Sequence, residues 1–319
     1  MTPDRSVSYA DSGDLQIAYE ISGDGPIDIV TAFDHGTNMD VMRENPLYDQ
    51  FFCRLGEFGR VINMDPRGAG LSDPTERVPT LEEWAADVQA VMRDVGSERA
   101  ALIGHGQSAQ LFMLFAATHP NETAALVSFN GCARLRRAPD YPWGFPPAYE
   151  ARIVQLYTDQ WGTGGVMATI NPDWVTTARG RTWSARLERA SASPRRALRR
   201  QILSLDIDVR DVLPTISAPT LVIQSQGDPY IRADHAEYLA RTIPGAQLLF
   251  VPGRNHSGFG DPEELDLIVS GIERFLTGQS HRAAAQRSLM SVVFTDIVDS
   301  TLKAADLGDQ RWRRMLGSS

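Results

Sequence analysis

Between Arg99 and Thr118 an apolar run stops at Gly104-His-Gly-Gln-Ser108 and restarts with helical spacing from Leu111. Two glycines one residue apart let the chain turn through backbone angles that side chains oppose. A strand that passes through so tight a turn into a helix suits a parallel sheet, whose strands need crossover helices. The rest of the first half repeats the pattern. Residues 15–21 alternate like a strand and 27–33 read as a buried one. Residues 47–59 are helical, 60–64 a strand, and 81–95 a helix entered through Thr80, with Glu83 three residues on as a capping partner. Strands follow at 100–103 and 124–129. The rhythm predicts an α/β fold, a mostly parallel sheet with helices on both faces.

From 133 to 213 the rhythm breaks. Tyr141-Pro-Trp-Gly-Phe-Pro-Pro147 clusters rings and prolines, and helical patterns follow without strands. An inserted helical lid over the C-terminal edge of the sheet would read this way. Alternation then resumes, with strands at 219–224 and 247–251 and helices at 234–242 and 262–276. Residues 278–287 read as a small, polar linker. After it, Leu289-Met-Ser-Val-Val-Phe-Thr-Asp296 starts a strand foreign to the preceding sheet.

At 319 residues and 42% hydrophobic content, the chain can bury one large core. A formal charge of −9 argues against a nucleic-acid partner. Cys53 and Cys132 supply neither a disulfide framework nor a Cys-based metal spacing. The polar start, Met1-Thr-Pro-Asp-Arg, lacks a signal-peptide core. No stretch reaches the roughly 18 apolar residues of a membrane span. The expected location is the cytoplasm.

The turn at Gly104 has the context of a G-x-S-x-G nucleophile elbow, but its central residue is Gly106, which has no side chain. Nucleophilic catalysis there needs a carboxylate and then a histidine further along. Asp228, in Gln226-Gly-Asp-Pro-Tyr230, and His256, in Val251-Pro-Gly-Arg-Asn-His256, each follow a predicted strand, where open α/β sheets place their sites.

With these residues in order, the chain resembles an α/β-hydrolase over residues 9–277. The resemblance implies an eight-stranded-type sheet under a lid, with Gly106 at the nucleophile position and Asp228 and His256 completing the triad. It also gives Asp65-Pro-Arg-Gly-Ala-Gly-Leu-Ser-Asp73 as a structural loop beside the site. Phe33-Asp-His-Gly36 stands where the family has its oxyanion loop, so backbone N–H groups there, at Phe33, and at Gln107 would stabilise an oxyanion. Ser108 is a poor substitute nucleophile, since it lies roughly 200° around the helix from the apex. Three explanations of Gly106 stay open: a ligand-binding pseudo-hydrolase, a hydrolase or lyase run by His256 and Asp228, or the loss of a working serine. With a nucleophile, the resemblance implies hydrolysis of a small, apolar ester or lactone, without metal or cofactor.

Ser291-Val-Val-Phe-Thr-Asp-Ile-Val-Asp-Ser-Thr301 is similar to the opening of class III adenylate/guanylate cyclase domains. By that resemblance, Asp296 and the Ile297 carbonyl would bind Mg²⁺ or Mn²⁺, which prefer oxygen ligands. Residues 288–319 carry only the start of such a domain, too little for cyclase activity. The reading is therefore a regulatory domain of a multidomain cyclase, with a small apolar ligand or ester and the cyclase domain as partners. It leaves room for a homodimer.

Weaker signals remain. Residues 179–200 hold eight arginines against Glu188 alone, a solvated face first, and an acidic-ligand site or a docking face for a partner domain second. Trp143, Trp161, Trp174 and Trp183 are expected in the lid core, His105 in the pocket wall, and His119 at a helix end.

Overall fold

The computed structural model describes residues 6–33, 36–75 and 79–279. The linker beyond 279 and the cyclase-like stretch with Asp296 and Ile297 lie outside the described residues. Eight strands form one sheet: β1 (Val7–Ser12), β2 (Leu15–Ser22), β3 (Ile27–Ala32), β4 (Gly59–Met64), β5 (Ala100–His105), β6 (Thr123–Phe129), β7 (Thr220–Ser225) and β8 (Gln247–Val251). Their order is β1-β2-β4-β3-β5-β6-β7-β8. β1 and β2 pair antiparallel, as do β2 and β4, and every later pairing is parallel.

Alternation along the strands builds two cores. Val30, Ile62, Leu102, Leu126 and Val222 face one side and Ile29, Val61, Ile103, Val127 and Ile223 the other. The first side is covered by α3 (Leu81–Asp94), α4 (Gln107–Thr118) and α9 (Ala233–Thr242), through residues such as Trp84, Phe112 and Leu239. The second is covered by α2 (Pro46–Leu55) and α10 (Pro262–Thr277), through Phe51, Phe52, Leu265 and Ile268. A short helix, α1 (Met39–Met42), precedes α2.

Thr80 and Glu83 form the expected capping box. Thr80 Oγ1 accepts from Glu83 N at 3.3 Å, and Glu83 Oε2 accepts from Thr80 N at 2.9 Å. Thr80→Ala is expected to lower stability by about 1 kcal/mol, read from urea unfolding midpoints.

The lid inserts between β6 and β7. Its neck is pinned where Val209 N donates to Ala133 O at 3.0 Å and Arg134 pairs with Asp208 at 2.6 Å. It holds α5 (Pro147–Gln160), α6 (Gly165–Ile170), a 3-10 turn at Pro172–Val175, α7 (Ala178–Ser191) and α8 (Pro194–Asp206). Tyr157, Trp161, Val166 and Leu205 make its own core. Glu188, buried inside the lid, accepts backbone N–H groups of Gly162, Gly164 and Met167 at 2.6–2.9 Å. Burial raises its pKa despite those bonds. Among the described residues, no helix is long and apolar enough to cross a membrane.

Candidate active site

Three strand ends converge under the lid. β5 ends at His105, and Gly106 follows with φ +56° and ψ −122° before α4 begins. That region is strained for any residue with a Cβ. A Cβ on Gly104 would lie 2.6 Å from Ala109 Cα, so α4 can start this close to β5 only over glycine. The turn survives at Gly106; the oxygen a serine would present is what the residue lacks.

The other two members stand together. His256 Nδ1 donates to Asp228 Oδ2 at 2.8 Å, and both side chains are buried. Asp228 Oδ1 accepts from the amides of Tyr230 and Ile231 at 2.8 and 3.1 Å, which fixes the carboxylate. An imidazole protonated at Nδ1 alone has Nε2 as its basic nitrogen. His256 and Gly106 line one chamber of about 10 Å³, with Gln107, Gln110, Cys132, Leu135, Ser204, Tyr230 and Ile231. A second, of about 20 Å³, lies among Phe33, Met42, His105, Tyr157, Met167, Trp174 and His256. Each has room for about one water.

Ser108 is not available as a nucleophile in this arrangement, because its Oγ donates to Phe33 O at 2.7 Å in the core between β3 and α4. That bond places the end of β3 against the helix that carries Gln107. Asp34 and His35, in the stretch expected to form an oxyanion loop, lie outside the described residues.

Several residues that hold the histidine loop escaped the sequence reading. The His256 carbonyl accepts from His105 Nε2 at 2.8 Å and from Asn130 Nδ2 at 2.6 Å. Asn130, at φ +46° just past β6, also bonds Ser225 through both N and Oγ. The usable signal was a polar Asn-Gly pair directly after an apolar strand. The lid grips the same loop: Ile170 O accepts from His256 N at 2.8 Å, and Asn171 Oδ1 accepts from Ser257 N at 2.8 Å. Asn255 Oδ1 accepts from Asp173 N at 3.0 Å.

Glu264 accepts from Ser225 Oγ at 3.2 Å and from Gly260 N at 3.2 Å. Burial, with the nearby charges of Asp261 and Asp173, pushes its pKa from 4.5 up to about 7. The fold therefore favours the protonated acid. Its stabilising contribution is full below pH 4.5 and is lost as pH rises through 7. Glu264→Gln is expected to lack this component, so the wild-type minus variant difference should fall by up to about 1.4 kcal/mol per pH unit in that window. Urea titrations across the window check it.

The D-x-R-G-x-G-x-S loop is structural as expected. Asp65 accepts from Leu71 N, Met39 N and Thr37 Oγ1, and burial still raises its pKa to about 6. Several lid arginines are engaged: Arg181 with Val175 O, Arg186 with Glu44, Arg189 with Gly162 O, and Arg200 with Arg67 O. Trp161 lies in the lid core, donating to Ala192 O at 2.9 Å. Trp143 instead packs on Tyr141 and Tyr238. Trp174 and Trp183 meet edge to face and border a surface cleft of about 690 Å³. His119 caps the end of α4. Among the described residues, no group of three or more His, Cys, Asp or Glu side chains is placed to hold a metal ion.

The profile of the alpha/beta hydrolase family matches residues 33–266, most of the chain. The chain belongs to that family. It is 26% identical over 244 residues to a karrikin insensitive 2 receptor of Petunia hybrida, covering 73% of this chain and 85% of the receptor. It is 24% identical over 261 residues to a proline iminopeptidase of Xylella fastidiosa, covering 68% and 80%. An esterase from Exiguobacterium antarcticum superposes with a TM-score of 0.73 at 18% identity, covering 85% of this chain and 99% of the esterase. The enol-lactonase of Burkholderia xenovorans does so at 0.68 and 21%, covering 85% and all of the lactonase.

Proposed function

We propose that this domain is a ligand-binding pseudo-hydrolase that regulates a class III nucleotide cyclase carried on the same polypeptide. One observation supports it above others: the apex of the elbow is glycine, while the His256–Asp228 pair and the lid around it are fully built. The acyl-enzyme route has no oxygen to start from, and loss of such a nucleophile costs on the order of 10⁶ in turnover. The pocket and its cover are what remain. A receptor among the relatives is compatible with binding as an end in itself. The cyclase partner rests on the motif around Asp296 and Ile297, and Mg²⁺ or Mn²⁺ would enter only with a complete cyclase domain.

The 2.8 Å His256–Asp228 bond favours a second reading, a hydrolase or lyase in which His256 acts as base on water or substrate. Turnover of an activated aryl ester by the chain and by His256→Ala separates the two. The sensor reading expects both at background. Turnover that is clear in the first and lost in the second would establish the alternative.

A further inference from the structure

We propose that the chamber beside Gly106 recognises a neutral carboxamide head group, read by the side chains of Gln107 and Gln110. The inference rests on the ligand-binding role above and names the chemistry of the ligand. Gln107 is 6% exposed and Gln110 1%, and both line the chamber. Among the described residues, neither Nε2 nor Oε1 of Gln107 has a hydrogen-bond partner. Gln110 Nε2 donates to Ala133 O at 3.4 Å, which sets the orientation of its amide and leaves Oε1 unpaired among those residues. Buried amide groups of this kind are normally satisfied, and each that is not weakens the fold. Among the described residues, the two glutamines thus bring one unmet NH₂ group and two unmet carbonyl oxygens to the chamber, at the start of α4, a helix with no side-chain cap.

Head groups divide on that pattern. A carboxylate or an ester offers acceptors only and would face both glutamine oxygens unfavourably. A carboxamide offers a carbonyl to Gln107 Nε2 and the first-turn N–H groups of α4, and an NH₂ to the two Oε1 atoms. Its NH₂ is the size of the water-sized space that a serine hydroxymethyl group would invade. Cys132, Leu135 and Ile231 supply apolar walls for an alkyl tail. Leu135 and Ser204 belong to the lid, and the space holds about one water, so the head group itself enters only as the lid shifts.

Calorimetric titration of the full chain with hexanamide, hexanoate and methyl hexanoate tests the assignment. Hexanamide is expected to bind at least about tenfold more tightly than either of the others, the effect of leaving buried partners unpaired. Gln107→Met and Gln110→Met should each bring the three ligands to within about twofold of one another. Gln107→Met should also raise the thermal midpoint of the free protein, which a purely structural glutamine would lower. Gly106→Ser should weaken hexanamide by about tenfold or more, because the hydroxymethyl group takes the NH₂ position. Equal binding of the three ligands, no hexanamide binding at millimolar concentration, or a preference retained in both methionine variants would each overturn it. Methyl hexanoate turnover, followed in the same samples, addresses the sensor reading separately. Hydrolysis dependent on His256 would sink that reading while the head-group ranking still decided this one.

Discussion

Replacing Gly106 by serine is expected to raise turnover of a small activated aryl ester by about 10³-fold or more over the chain as it stands. The base, its orienting carboxylate and the strained turn are already in place, with Nδ1 to Oδ2 at 2.8 Å and the apex at φ +56°. The serine restores the missing oxygen in the chamber that His256 also lines. The substitution has a stability penalty, since a Cβ in that region of backbone space costs about 1–3 kcal/mol. The variant should therefore unfold at lower urea concentration while gaining activity, an inverse relation that generic damage does not produce. Adding His256→Ala should return the rate to background, and Asp228→Asn should remove most of the gain by freeing the wrong tautomer. The ester must be small, because each chamber holds about one water before the lid moves. A folded Gly106→Ser protein with no gain would mean that residue 106 does not address His256, and the pseudo-hydrolase reading would lose its basis.

The central strands were legible because they are buried on both faces and read as apolar runs, and β2 by its alternation. β5 and β7 have every residue buried. β1 was missed for the opposite reason: Val7-Ser-Tyr-Ala-Asp-Ser12 is an edge strand with an exposed face, held by pairing to β2 and not by an apolar pattern. The apolar spacing after the elbow shows only from Leu111, whereas α4 starts at Gln107. The early turn of α4 is set by backbone geometry at glycine, which leaves no periodic signature. Asp228 and His256 could be found because each follows a recognisable strand. Asn130 offered only the Asn-Gly pair after β6 as a signal; Asn171 and Glu264 offered none, because their roles depend on the lid and α10 meeting the histidine loop and its neighbours. The lid's extent was visible as a loss of rhythm. Its four helices and the carboxylate of Glu188 at their centre follow from tertiary contacts that spacing does not encode.

Arg67→Met is expected to lower stability by about 3–5 kcal/mol, because it breaks a buried ion pair from one side. Arg67 Nε donates to Asp87 Oδ2 at 2.6 Å, and Nη2 donates to Glu83 O at 3.0 Å. Burial already lifts the Asp87 pKa in spite of Arg67. Without the guanidinium that carboxylate would be stranded, and its pKa would rise further. A raised folded-state pKa gives stability that is lost as pH rises, so the gap between wild type and variant should widen from pH 5 to pH 8. Urea midpoints at the two pH values give the reading. Adding Asp87→Leu to Arg67→Met should recover most of the loss, since an apolar pair of similar volume removes the uncompensated charge. The pair also bears on the lid. The Arg67 carbonyl accepts from Arg200 Nη1 of α8 at 2.7 Å, and the Arg200 guanidinium lies 5.4 Å from the Trp84 ring. Loosening the Arg67 loop should therefore loosen α8, and amide exchange in α8 should rise more than in α9, which packs against β7 and β8. Equal exchange in both helices would show that the pair stabilises the sheet core without reaching the lid.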